Sequence, residues 1–219
     1  MASALLGKQI DIHTGGEDNI FPHHECEIAQ SRAVSGKPFF AKYWIHKRQI
    51  FVDGVKMSKS LKNFYTLSDL EKKGFSPIDF RYLVLSIHYR QNANFTWKGL
   101  QDGQKAINHL QIFLTLVQQA SDIGPEVDVA IHRSNFEASL DDDLNTSGAL
   151  AALFELSKHG HIALSRKGGI KNKIEVLRFL RDADQVFGIL DWDLIEQPDN
   201  QIEIYIVDRD KARAQKDFK

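Results

Sequence analysis

A chain of 219 residues, 42% hydrophobic and 26% charged, can bury a substantial core and does not have a disordered composition. A formal net charge of -1 excludes global basicity as the means of holding nucleic acid, so any RNA contact must come from local clusters. Single Cys26 excludes an internal disulfide framework, no apolar run reaches membrane-spanning length, and the uncharged start Met1 to Gly7 is too short for a secretory signal, so a cytosolic protein without membrane contact is expected.

Gln9-Ile10-Asp11-Ile12-His13 alternates polar and apolar residues and predicts a short strand that breaks into a tight loop at Thr14-Gly15-Gly16. Glu17-Asp18 follow, and a helix is expected from near His23, with Ile28, Ala29 and Ala33 as its apolar positions and Gly36-Lys37-Pro38 as its stop. His23 and Glu27 are four apart, so on a helix they share a face and can serve one metal ion, although a surface hydrogen bond has the same spacing. Phe40 to His46 is aromatic-rich and reads as a strand.

Asp53-Gly54, between Gln49–Val52 and Val55, is a two-residue hairpin signal. The stretch Lys56-Met57-Ser58-Lys59-Ser60 leaves the second arm of that hairpin, which can present it as a movable flap. Two lysines three apart, with small hydroxyls beside them, suit the charge of a polyphosphate; a solvated polar loop would have a similar composition. Thr66-Leu67-Ser68-Asp69 has capping-box spacing and predicts a short helix ended by Gly74. Ser76-Pro77 opens another, with Phe80, Leu83, Val84 and Ile87 as its buried stripe.

From Thr96 the pattern is helical. Leu100, Ile107, Leu110, Leu114 and Val117 form one stripe, followed by a turn at Gly124-Pro125. Further helices are expected over about 126–140 (Val127, Ala130, Ile131, Phe136), through Leu150 to Leu164, and over about 170–187 with Gly188 as cap. Asp141-Asp142-Asp143 reads as a helix-entry turn rather than a cation site, and 202–219 as the start of another helix. The expected fold class is therefore α/β plus all-α, ending in an antiparallel helical bundle.

The five residues Lys56 to Ser60 resemble the KMSKS signature of class I aminoacyl-tRNA synthetases. Asp11 to Asp18, Ile20 to Ser31, Tyr43-Trp44-Ile45-His46, Arg81-Tyr82, Ser86 to Arg90 and Leu140 to Thr146 follow in an order and spacing similar to cysteinyl-tRNA synthetases. The resemblance implies the second half of a Rossmann-like catalytic domain over 1–50, a KMSKS and stem-contact subdomain over 51–95, and a DALR-like tRNA-binding helical domain over 96–219. It implies ATP-dependent activation of cysteine to cysteinyl-adenylate and transfer to tRNA(Cys). Lys59 would contact the ATP phosphates, with Lys56, Met57, Ser58 and Ser60 shaping the loop; Gly15, Gly16 and Asp18 match the adenosine-side turn. His23 and Glu27 match two of the family's four zinc ligands, and His13 a residue beside that metal, in the pocket where the zinc receives the substrate thiolate. Cys26 lies between the ligands but faces another side of the helix.

No HIGH-type sequence and no counterpart of the family's two cysteine ligands is present, and Lys62 stands where the family usually has glycine. A partial, inactive synthetase is thus expected, with an uncovered half-sheet open to association. Two other functions share these features: a ligase joining cysteine to an amino sugar, and a non-catalytic tRNA-binding paralogue using Lys42, Lys47, Arg48 and Lys56, Lys59, Lys62 on phosphates.

Overall fold

A computed structural model describes residues 2–194 of the chain; the expected helix over 202–219 lies outside the described residues. After a four-residue helix α1 (Ala2–Leu5), strand β1 (Ile10–Gly16) leads through a 3-10 turn (Glu17–Asn19) and a π-type turn (Ile20–His24) into α2 (Glu25–Ser35). Strand β2 (Ala41–Lys47) then pairs with β1 in parallel, from Ile10 opposite Ala41 to Gly16 opposite Lys47. Parallel neighbours need a crossover, and α2 supplies it. The expected tight loop at Thr14-Gly15-Gly16 is corrected: both glycines remain in the strand, because His46 and Lys47 pair with them. The apolar positions of α2 also differ from expectation. Ala29 and Ala33 are exposed, since no described element covers that side.

Chemistry local to the chain builds the middle unit. Asp53 and Gly54 both take positive φ (48° and 78°), the conformation of the twisted two-residue turn joining β3 (Ile50–Val52) to β4 (Val55–Lys56). Thr66 and Ser76 form complete capping boxes with Asp69 and Asp79, starting α3 (Leu67–Glu71) and α4 (Pro77–Leu85). A third strand, β5 (Ala93–Phe95), pairs in parallel with β3 and was not expected from the sequence. Val52, Leu70, Phe95 and Leu100 form this unit's core, with Met57, Phe80 and Leu83 packed on it.

Helix α4 faces two ways. Phe80 and Leu83 join the small core, whereas Tyr82 and Leu85 pack on the helical core, leaving Val84 exposed instead of buried as expected. Arg81 Nε donates to the Phe187 carbonyl, pinning α4 to the far end of the bundle.

The bundle comprises α5 (Trp97–Gln119), α6 (Val129–Asp141), α7 (Thr146–Lys167) and α8 (Lys173–Phe187). Every position of the expected α5 stripe is buried. In α6 the buried face is Val129, His132 and Phe136, because Asp128 is the N-cap and starts the helix later than expected; Ala130 and Ile131 point outward. Among the described residues no helix is long and apolar enough to cross a membrane.

The bundle carries neutral histidines. Burial lowers the pKa of His132, helped by neighbouring His159, and burial also lowers that of His161, helped by His109. In the unfolded chain both groups bind protons near their ordinary value of about 6.5, above their folded values. Stability is therefore fully present above about pH 6.5 and is lost as pH falls through the lowered folded values. The urea midpoint of the wild-type chain is expected to drop between about pH 7.5 and pH 5. A His132→Asn/His161→Asn variant should show a flatter profile; equal slopes would contradict this account.

Candidate active site and metal centre

At the carboxyl ends of β1 and β2 the side chains on one face are aromatic or basic. His13 sits 4.7 Å from the Trp44 ring, and Trp44 stacks at 6.0 Å on His46. His24, from the turn before α2, inserts edge-on against His13 at 4.8 Å, and its Nδ1 lies 2.8 Å from His46 Nε2. That insertion depends on Gly15: a Cβ there would lie 2.6 Å from His24 Cε1 and 2.9 Å from Nε2. The opposite face of the pair shows Ile12 and Tyr43, both more than half exposed.

Glu27 reaches this cluster from the first turn of α2. Its Oε2 is buried and 3.0 Å from His13 Nε2, yet no hydrogen bond satisfies that oxygen. Ligand atoms of His13, His24 and Glu27 all lie within 4.8 Å of one another. Burial, and secondarily the neighbouring His13 and His46, hold the His24 pKa below its ordinary value, which keeps the imidazole in its metal-binding form. Two imidazoles and an unsatisfied carboxylate oxygen suit zinc, whose open sites use three protein ligands. His23, expected as a ligand, is on the solvent side: its side chain is 62% exposed and its Nε2 is 3.7 Å from the other Glu27 oxygen. Glu27 thus has one oxygen turned to each histidine environment. His23 and Glu27 do share a face, as the i,i+4 spacing requires; His24, which the sequence reading did not weigh, is the histidine that the π-type turn at Ile20–His24 brings inward. Cys26 is exposed.

Asp18 follows Gly16 closely, and a side chain at 16 would collide with the Asp18 carboxylate. Among the described residues that carboxylate has no ion-pair partner, whereas the adjacent Glu17 pairs with Arg48 Nη1 at 2.9 Å.

The lysine-serine loop begins near this end of the sheet. Lys47, the pairing partner of Gly16, is three residues before Ile50, whose carbonyl accepts from Met57 N at 3.3 Å. Met57 anchors the loop by packing on the Val52–Leu70–Phe95 core. Asn63 closes it: Oδ1 accepts from Ser58 N at 2.8 Å and Nδ2 donates to the Lys56 carbonyl at 3.1 Å. The Ser58 and Ser60 hydroxyls are 3.1 Å apart. Lys59 projects from the loop with Nζ 5.8 Å from the Phe64 ring centroid, and among the described residues Lys56 and Lys59 form no ion pair. Lys62 has φ 54°, the left-handed region that costs an L-residue about 1 kcal/mol and glycine little. Sequence reasoning missed the role of Asn63, whose signal was an amide just beyond the lysines.

A family model described as tRNA synthetases class I (C) catalytic domain matches residues 1–105, and one described as DALR domain matches residues 135–191. A cysteine–tRNA ligase of Chlamydia muridarum is 40% identical over all of this chain and 49% of its own length. One of Bacillus licheniformis is 39% identical over all of this chain and 48% of its own length. The chain thus spans about half the length of the curated relatives it matches. The LeuRS–tRNA–LeuAMS complex of Agrobacterium radiobacter K84 superposes with TM-score 0.64 at 16% identity, covering 82% of this chain and 26% of that one. Methionyl-tRNA synthetase of Mycobacterium tuberculosis, solved with methionyl-adenylate, gives TM-score 0.51 at 16% identity over 82% of this chain and 40% of that one. At such identities the two structures speak for the fold alone. Family models over both parts of the chain, together with full-chain similarity to the curated ligases, establish that it belongs to the cysteinyl-tRNA synthetase family of class I aminoacyl-tRNA synthetases.

Proposed function

We propose that this chain forms the nucleotide-flap, metal-side and tRNA-side parts of an ATP-dependent cysteine–tRNA ligase. The observation that carries the reading is the placement of the Lys56–Ser60 loop. Through Met57 and Ile50 it is tied to the segment that follows Lys47, at the end of the sheet where Gly15, Gly16 and Asp18 also lie. Ligands of open α/β sheets bind outside the carboxyl ends of the strands, which favours this end for the nucleotide.

The division of labour follows from the side chains. Gly15 and Gly16 line the adenosine side through the neighbours they make room for, His24 and the Asp18 carboxylate, and Asp18 accepts hydrogen bonds from ribose hydroxyls. Lys59 swings from Phe64 to the phosphates and stabilises charge on the departing pyrophosphate; Lys56, Ser58 and Ser60 shape the loop and Met57 holds its base. His13, His24 and Glu27, with His23 beside Glu27, would hold a zinc ion, which when bound offers a soft site to a thiolate and so favours cysteine over serine. His13 faces the same pocket. Residues 1–50 serve as the catalytic part and 51–95 as the flap and stem-contact part. From residue 96 onward the helical bundle binds tRNA(Cys), in a protein acting in the cytoplasm. The exposed Ile12 and Tyr43 face is then covered by further sheet or by a second copy.

Tested alone, the 219-residue chain is expected to give no cysteine-dependent ATP–pyrophosphate exchange above background, because the described residues offer only two parallel strands, β1 and β2, on which to seat the nucleotide. Joined to the amino-terminal half of the Chlamydia muridarum ligase, it should support exchange and charge tRNA(Cys). Failure of the folded chimera in exchange would reject the reading, and transfer of cysteine to an amino sugar in place of tRNA would reassign the acceptor.

A further inference from the structure

The turn between α6 and α7 contains two consecutive non-glycine residues in the left-handed region, Asp143 (φ 54°) and Leu144 (φ 57°). L-residues rarely adopt this conformation, and it persists where surrounding contacts over-determine it. Here the contacts come from another part of the molecule. The Asp143 carboxylate accepts from the Tyr89 hydroxyl at 2.6 Å and from both Nε and Nη2 of Arg90, the latter at 3.1 Å. This bidentate fork holds the Asp143 pKa down at about 2, so the carboxylate is charged throughout the neutral range. Arg90 also lies over the Tyr89 ring, 5.2 Å from its centroid, and His88 stacks on the same ring at 4.9 Å.

The connection continues beyond Tyr89. Its backbone carbonyl accepts from Arg48 N at 2.9 Å, and the Arg48 guanidinium reaches Glu17 Oε2 at 2.9 Å. Arg48 directly follows Lys47 and Glu17 directly follows Gly16, and those neighbours are paired across the sheet. One polar chain therefore runs from the helical bundle, through the segment after α4, to the first residue beyond the glycine end of β1.

We propose that Glu17, Arg48, Tyr89, Arg90 and Asp143 act together as a positioning brace, which fixes the α6–α7 turn of the helical bundle in register with the glycine end of the catalytic sheet. A shift of the α6–α7 turn then moves the turn that carries Asp18. None of the five residues need touch a substrate. The consequence for catalysis, communication between a bundle-bound RNA and the nucleotide turn, rests on the proposed function; the brace itself does not.

The test is amide hydrogen exchange on the 219-residue chain, without ATP or RNA. Asp143→Asn is expected to accelerate exchange at residues 16–19 and at Arg48 by about fivefold, in addition to its local effect at 88–90 and 141–146. Glu17→Gln should in turn accelerate exchange at 142–146. If each variant changes only its own neighbourhood, the brace is refuted. Tyr89→Phe, which deletes one hydroxyl, should reproduce the Asp143→Asn pattern at smaller amplitude, so the result does not depend on Asp143→Asn folding well. Arg90→Lys should behave like Asp143→Asn, because an ammonium cannot replace the fork. In the Glu17→Gln/Asp143→Asn pair, exchange effects at Arg48 smaller than the product of the single effects support one connected unit, whereas independent effects overturn it.

Discussion

Lys59→Ala, introduced into the chimera with the Chlamydia muridarum amino-terminal half, is expected to lower kcat for cysteine-dependent pyrophosphate exchange by about 100- to 1,000-fold while changing KM for ATP less than tenfold. The asymmetry follows from when the charge appears. The bridging oxygen gains negative charge as the α–β phosphate bond breaks, so a cation placed there acts more on the transition state than on bound ATP. Among the described residues the Lys59 ammonium has no carboxylate partner to leave, only the Phe64 ring at 5.8 Å. An exposed contact of that kind contributes about 0.5–1 kcal/mol, small beside the roughly 2.7–4.1 kcal/mol that the expected rate loss represents. Lys59→Arg should recover part of the rate by restoring charge. Asn63→Ala should instead raise KM for ATP, since it frees Ser58 N and the Lys56 carbonyl and disorders the loop without removing a phosphate contact. A Lys59→Ala enzyme within tenfold of wild type in kcat would remove this lysine from the chemistry.

The features legible in the sequence are those whose cause is local. The Asp53-Gly54 hairpin, the capping box at Thr66, the helix start at Ser76-Pro77 and the α5 stripe each depend on residues within a few positions of one another, and each forms as expected. Features decided by distant partners were not legible. Ala93-Asn94-Phe95 is too short to show strand alternation and becomes β5 only because β3 offers it a parallel edge. Val84 looks like a stripe position, but α4 divides its other apolar residues between two cores. Asp143 looked like one of three solvated turn aspartates until folding brought Arg90 and Tyr89 to it across more than 50 residues. In the candidate site, Glu27 and the two glycines were visible as a pattern, although the glycines end a strand and do not form a turn. The inward turn of His24 was not, because it depends on the winding of the Ile20–His24 turn and on the empty space above Gly15.

That space leads to the second large effect. Gly15→Ala is expected to destabilise the chain by about 1–3 kcal/mol and to lower its zinc affinity. The added methyl group would meet His24 Cε1 at 2.6 Å, well inside van der Waals contact, and His24 is 96% buried with His13, Trp44 and His46 against its ring. The backbone cannot yield easily, since Gly15 pairs with His46 inside the parallel ladder. The ring must therefore move, separating its nitrogen from His13 and Glu27. A loss near 2 kcal/mol would lower Tm by about 4–8 °C for a chain of this size. The cause can be isolated by a double-mutant cycle, because His24→Ala removes the group that the methyl strikes. With the ring gone, Gly15→Ala should cost about 0.5 kcal/mol or less, and the double variant should be more stable than additivity predicts. Zinc titration of the apo-protein provides the second readout: Gly15→Ala and His24→Ala should weaken binding to a similar degree, whereas His23→Ala should weaken it less if the buried trio holds the ion. Additive stabilities in the cycle, with unchanged zinc affinity in Gly15→Ala, would show that neither the glycine nor the His24 ring organises this centre.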